Sequence, residues 1–174
     1  MESRASIGFR GNMNAPSPEK SVILLVEDQE DDVALTLRAL KHAKIPNPVQ
    51  VVNDGQEAIF YLEGRGKYEN RSEFPLPDLV LLDINMPNSD GFTVLRWVRS
   101  HPGLKALRIV MLTTSDENED IDNAYRLGAN SYIVKPMRLE TYSELIGVAI
   151  RFWFEQSEAP SLNRNKAEQN AIKE

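Results

Sequence analysis

Cysteine is absent from the 174 residues. That excludes disulfides, thiolate metal sites and thiol nucleophiles, and it fits a reducing compartment. Histidine is scarce: His42 and His101 are the only two. Both fall near expected helix ends with no partnered acid close by in sequence, so helix-end solvation accounts for them and no catalytic role is assigned. No apolar run has the length of a membrane span, and the opening "MESRASIGFRGNMNAPSPEK" has charges and glycine where a secretory leader needs an apolar core. The sequence therefore reads as cytoplasmic, with no membrane partner. A long Lys/Arg run is also missing and the net charge is -6, so no nucleic-acid partner is expected.

What is present suits one globular domain. With 41% hydrophobic and 26% charged residues, the chain can bury a substantial core but has no room for a second. The ends are polar and rich in Pro, Asn and Ser, so residues 1–20 and 157–174 are expected to be flexible segments around a domain at 21–156.

Inside those limits, strand-like and helix-like patterns alternate. "SVILLVE", "VQVVND", "DLVLLD", "LRIVMLTT" and "SYIVK" are short and apolar, as for strands covered on both faces. Between and after them, "DDVALTLRALKHAK", "GQEAIFYLEG", "GFTVLRWVRSH", "ENEDIDNAYRLG" and "RLETYSELIGVAIRFWFE" carry apolar residues at helical spacing, while "RGKYENRSEFPLP" reads as a polar loop. Five strands alternating with five helices predict a doubly wound α/β fold around a parallel sheet.

In such a sheet, sites form beyond the carboxyl ends of the strands. Those ends carry Glu27 and Asp28 after the first strand, Asp83 after the third, Thr113 after the fourth and Lys135 after the fifth. Adjacent acids repel one another unless a cation lies among them. A hard divalent ion, Mg²⁺, suits such oxygens, and Asp28 and Asp83 are its expected ligands. Lys135 offers a point charge to Asp83 or to a phosphoryl oxygen, and Thr113 a hydroxyl donor. Asp83 is then placed to act as a nucleophile toward phosphorus.

The ordered stretches "LLVEDQEDD", "LVLLDINMPNSDG", "IVMLTTSD" and "GANSYIVKP" resemble the receiver domain of two-component response regulators. The resemblance implies a flavodoxin-like fold with strand order 2-1-3-4-5. It also implies Asp83 as phosphoacceptor, Asp28 as metal ligand, Glu27 acting through the ion's waters, and a backbone carbonyl of Asn85 on the metal. Thr113 and Lys135 would hold the phosphoryl oxygens, Tyr132 would be the switch aromatic that follows Thr113, and Pro136 would occupy the family's cis-proline position. The implied partner is a histidine kinase, and the implied output is a change of protein-binding surface rather than DNA binding.

A narrower resemblance, carried by "LEGRGKYENRSEFPLPDLVLLD" and "RFWFE", is to the single-domain response regulators of phytochrome-type histidine kinases. It implies a homodimer through the fourth helix, fifth strand and fifth helix. The last helix is apolar over more than the usual arc: Tyr142, Leu145, Ile146, Ala149 and Trp153 form a stripe, with Val148, Phe152 and Phe154 beside it. Tyr142, Leu145, Val148, Phe152, Trp153 and Phe154 are accordingly the expected dimer surface.

Blander readings exist for each residue alone. Glu27 and Asp28 suit a helix N-terminus, Lys135 a solvated strand end, Thr113 a strand preference, Asp90 a helix cap before "FTVLRWV", and Trp97 packing. They leave the coincidence of five polar strand ends unexplained. A phosphatase of haloacid-dehalogenase type shares the Asp nucleophile, Thr, Lys and Mg²⁺, but places its nucleophile in a D-x-D pair on the first strand. A flavodoxin-type FMN binder needs a Ser/Thr/Gly-rich loop where this chain has "EDQEDD". A degenerate receiver serving only as an interaction module is disfavoured because every site position holds a competent residue.

Overall fold

The computed structural model describes residues 20–87 and 89–157; the expected flexible ends lie almost entirely outside that range. Strands β1 (Ile23–Val26), β2 (Val49–Val52), β3 (Leu79–Leu82), β4 (Arg108–Thr113) and β5 (Ser131–Val134) alternate with helices α1 (Glu30–His42), α2 (Gly55–Glu63), α3 (Gly91–Ser100), α4 (Asn118–Arg126) and α5 (Leu139–Arg151). All pairs are parallel, and the order across the sheet is β2-β1-β3-β4-β5. This is the expected doubly wound flavodoxin-like order.

The unbroken apolar strands follow from burial on both faces. Leu24, Val26, Val80 and Leu82 face a core with α2 and α3, while the alternate residues Ile23, Leu25, Leu79 and Leu81 face a second core with α1 and α5. Side chains also terminate the helices. Asp54 and Asp90 each accept an N–H three residues ahead, at 2.7 Å, to start α2 and α3; the capping role expected of Asp90 is the one it has. Gly64 ends α2 with φ 72, the left-handed turn that glycine enters without penalty.

Three expectations are corrected. The stretch after α2 is not simply a polar loop. It forms a 3₁₀ turn (Gly66–Tyr68) whose Tyr68 is buried against Tyr61 and Phe74, and Arg71 donates to the carbonyls of Tyr61 and Leu62 at 2.7 and 2.8 Å, closing the orphan end of α2. The Lys135–Pro136 peptide is trans, since no cis bond occurs among the described residues; the intrinsic preference of an X-Pro bond is also for trans. Tyr142 is fully buried and lies between α5 and α1, where its hydroxyl meets Thr36 Oγ1 at 2.8 Å. It is therefore unavailable to a dimer surface, because a buried phenol needs an internal partner and Thr36 supplies it.

Beyond α5 the chain widens into a π-turn (Phe152–Gln156). The buried Arg108 at the start of β4 donates to the carbonyls of Trp153 and Ser157, the latter at 2.6 Å, with its guanidinium 5.6 Å from the Trp153 ring. Among the described residues, no helix is long and apolar enough to cross a membrane.

Candidate functional site

The strand ends converge on one acidic pocket. Register pairs Val26 with Leu82, so the next residues, Glu27 and Asp83, emerge side by side. Backbone bonds extend that alignment past the strands: Asp83 N–H donates to Val26 O at 3.1 Å, Glu27 N–H to Val52 O at 3.0 Å, and Lys135 N–H to Thr113 O at 2.7 Å. On the far side α3 packs directly against the backbone of Asp83. A side chain at Gly91 would collide with the Asp83 carbonyl oxygen, so the close approach requires glycine.

Carboxylate oxygens of Glu27, Asp28 and Asp83 lie within 4.8 Å of one another. Asp28 does not cap α1; that position is Gln29, which makes no side-chain cap bond. One buried oxygen of Asp28 and one of Asp83 have no hydrogen-bond partner, a costly arrangement unless something cationic engages them. Hard oxygen donors, two of them unspent, fit a divalent ion. The exposed Asn85 lies two residues after Asp83 at the rim.

Lys135 is closed on acids. Its Nζ donates to Glu27 and, at 2.8 Å, to Asp32, and lies 3.9 Å from Asp83 Oδ1. Burial pulls the ammonium pKa down, but Asp32, Glu27 and Asp83 together outweigh it and hold Lys135 above its usual range. Burial also pushes Glu27 and Asp83 above the usual carboxylate range. Lys135 draws both back, as do the Thr113 hydroxyl and the Ile84 and Asn85 amides for Asp83.

Asp32 was not among the expected site residues. It is on the first turn of α1, where an acid is accounted for by the helix dipole alone, and its partner Lys135 is 103 residues away.

Thr113 is fully buried beneath the pocket, and its hydroxyl oxygen accepts the Ser115 N–H at 3.3 Å. Tyr132 is half-buried, with its hydroxyl donating to the Ser115 carbonyl at 3.1 Å, and Ser115 Oγ donates to Asp120 at 2.6 Å. The expected switch pair is therefore linked through the loop between β4 and α4. Asp120 escaped the sequence reading because acids that follow a Ser resemble any helix entry.

The profile of the response regulator receiver domain matches residues 23–146. This chain belongs to that family. The receiver is 36% identical over 149 residues to the response regulator Rcp1 of Synechocystis sp., covering 86% of this chain and 99% of Rcp1. It is also similar to the phosphorylated cyanobacterial phytochrome response regulator RcpA, with TM-score 0.74, 38% identity, and coverage of 82% of this chain and 99% of that one. The Mn²⁺-bound form of Rcp1 matches with TM-score 0.72 and 36% identity, over 81% of this chain and 99% of the other. Receiver domains bind Mg²⁺ or Mn²⁺ at an acidic pocket, and the cluster of Glu27, Asp28 and Asp83 is consistent with that property of the family.

Away from the pocket, the remaining expected dimer residues differ in exposure. Leu145, Val148 and Phe152 are exposed, whereas Trp153 and Phe154 are half-buried against the core shared by α1 and α5.

Proposed function

We propose that Asp83 accepts a phosphoryl group from the phosphohistidine of a cytoplasmic histidine kinase of phytochrome type, and that the phosphorylated receiver signals through a changed protein-binding surface. The observation that carries this reading is the buried, unpartnered Asp83 oxygen facing Lys135, with Thr113 and two further acids around it. A carboxylate oxygen of Asp83 attacks phosphorus, the P–N bond breaks, and the imidazole leaves with its electron pair, so that an acyl phosphate forms. Asp28, Asp83 and the Asn85 carbonyl would hold Mg²⁺, with Glu27 reaching it through water. Bound there, Mg²⁺ supplies positive charge against the phosphoryl oxygens.

The chain's own groups complete the arrangement. Lys135 carries a fixed charge toward the transferred group, Thr113 offers it a hydroxyl donor, and Tyr132 follows the hydroxyl when the Ser115 loop rearranges. Similarity to phytochrome response regulators supports the kinase class. Leu145, Val148 and Phe152 offer apolar area for a homodimer, with Trp153 and Phe154 at its margin.

Intact mass tests the acceptor. With acetyl phosphate and Mg²⁺ the native chain should gain one phosphoryl group, and neither the Asp83→Asn variant nor an EDTA control should gain any. A folded native chain that gains none under any condition would leave the interaction-module reading in front.

A further inference from the structure

Lysine is a flexible point charge, so its resting place is decided by competition among nearby acids. Here the nearest acid to the reaction is not the one it bonds. Asp83 Oδ1 is buried and unpartnered, yet the Lys135 ammonium stands 3.9 Å away, beyond the roughly 2.7–2.9 Å of a charge-assisted bond. An ammonium has three donors; one is spent on Glu27 and another on Asp32 at 2.8 Å. Glu27 leaves the end of β1 and Asp32 the first turn of α1, so the two acids hold the ammonium from separate elements. Remove Asp32 and a single tether remains, leaving Lys135 free to close on the vacant oxygen of Asp83.

We propose that Asp32 is a positioning residue that holds Lys135 back from Asp83, keeping the acceptor oxygen open to the phosphoryl donor and to the divalent ion. This rests on the acceptor reading of Asp83 given above. The role has an electrostatic basis: a lysine closed on Asp83 would occupy the lone pair that must attack phosphorus and would compete with Mg²⁺ for the same charge. Asp32 suits the task because its own charge is favoured at the N-terminal turn of a helix. Its side chain is 27% exposed, so it reaches the buried ammonium from the rim without adding a fully desolvated acid.

The test is Mg²⁺ binding by calorimetry on the full chain, comparing native protein with Asp32→Asn, Asp32→Glu, Lys135→Met and the double variant Asp32→Asn/Lys135→Met, each checked for folding by circular dichroism. Asp32→Asn should weaken Mg²⁺ binding about 3-fold or more, as expected for one coupled side-chain pair, and slow the acetyl phosphate-driven mass adduct in parallel. Asp32→Glu, which keeps a carboxylate on the same turn, should recover most of the affinity. In the Lys135→Met background Asp32→Asn should change little. An equal loss in that background would show that Asp32 acts on the ion by its own charge, and would overturn the inference. Tighter binding or faster phosphorylation in Asp32→Asn would overturn it too. A native chain that takes up no Mg²⁺ overturns the acceptor reading and this inference together, whereas native binding with an unchanged Asp32→Asn variant overturns this inference alone.

Discussion

Two buried cations sit at opposite ends of the sheet, Lys135 just past β5 and Arg108 at the start of β4. Arg108 is spent on fixed groups: the Trp153 and Ser157 carbonyls take its donors, and the Trp153 ring covers its plane. Lys135 faces Glu27, Asp32 and Asp83, and the oxygen of Asp83 nearest to it stays unpartnered. One site is closed and fastens the helical turn Phe152–Gln156. The other holds unbalanced charge that a phosphoryl group or a divalent ion can complete. Burial of a cation alone thus does not mark function; an unsatisfied neighbour does.

The sharpest way to break this contrast is Lys135→Met. With its cation gone, the side chain of Glu27, 1% exposed, becomes a buried acid with no counter-charge, left with the Gln29 N–H at 3.2 Å, a loss of about 3 kcal/mol by analogy with other broken buried pairs. The pH dependence has a definite sign. Burial already raises the Glu27 pKa and Lys135 draws it back, so the variant's Glu27 binds a proton more tightly when folded than when unfolded. The stability this lends is full below the ordinary glutamate range and is lost as pH rises through the raised folded value. Urea midpoints in EDTA should therefore show a larger deficit at pH 8 than at pH 5. A deficit independent of pH would mean that the loss is packing, and that Lys135 resembles Arg108 after all.

The contrast also separates what was legible in the sequence from what was not. Asp28, Asp83, Thr113 and Lys135 could be read because each ends an apolar strand, and a parallel sheet gathers strand ends at one rim. Asp32 could not, since its link to Lys135 joins residues 103 apart and depends on how α1 is rotated against the sheet. Arg108 drew no reading at all, because its partners are 45 and 49 residues away. Tyr142 shows the limit of periodicity: a helical stripe says which residues share a face, but not whether that face meets the core or another molecule. It meets α1. Tyr68 shows the reverse error, an aromatic inside a polar stretch that folds back into the core.

Arg108→Ala tests the closed end with a smaller effect. Losing its bonds to the Trp153 and Ser157 carbonyls and its contact with the ring should destabilise the chain by about 2 kcal/mol. Amide exchange should rise selectively over residues 152–157. β4 spans Arg108 to Thr113, which separates the two ends by roughly 16 Å at about 3.3 Å per residue, so the Mg²⁺-dependent mass adduct should persist. Altered phosphorylation without altered exchange at 152–157 would show that the two cations are not independent.

The smallest effect belongs to a polar pair that is buried, neutral and satisfied, close to the unsatisfied pocket. Thr36 lies one turn beyond Asp32 on α1, and its Oγ1 meets the Tyr142 hydroxyl at 2.8 Å. Tyr142→Phe removes one neutral hydrogen bond and leaves a hydroxyl able to bond back to its own helix, so the loss near neutral pH should be about 1 kcal/mol or less. Burial pushes the phenol up to about 12, against about 10 when unfolded. A raised folded pKa gives stability that is full below about pH 10 and is lost as pH rises through about 12. The native chain's advantage over Tyr142→Phe should therefore hold steady to about pH 10, then shrink and reverse, as only the native chain gains by unfolding to a state in which the phenol ionises freely. An advantage that stays flat up to pH 11.5, measured by denaturant midpoints, would mean that the phenol ionises as if in water. The seam between α1 and α5, which carries Asp32 to Lys135, would then be open to solvent rather than packed.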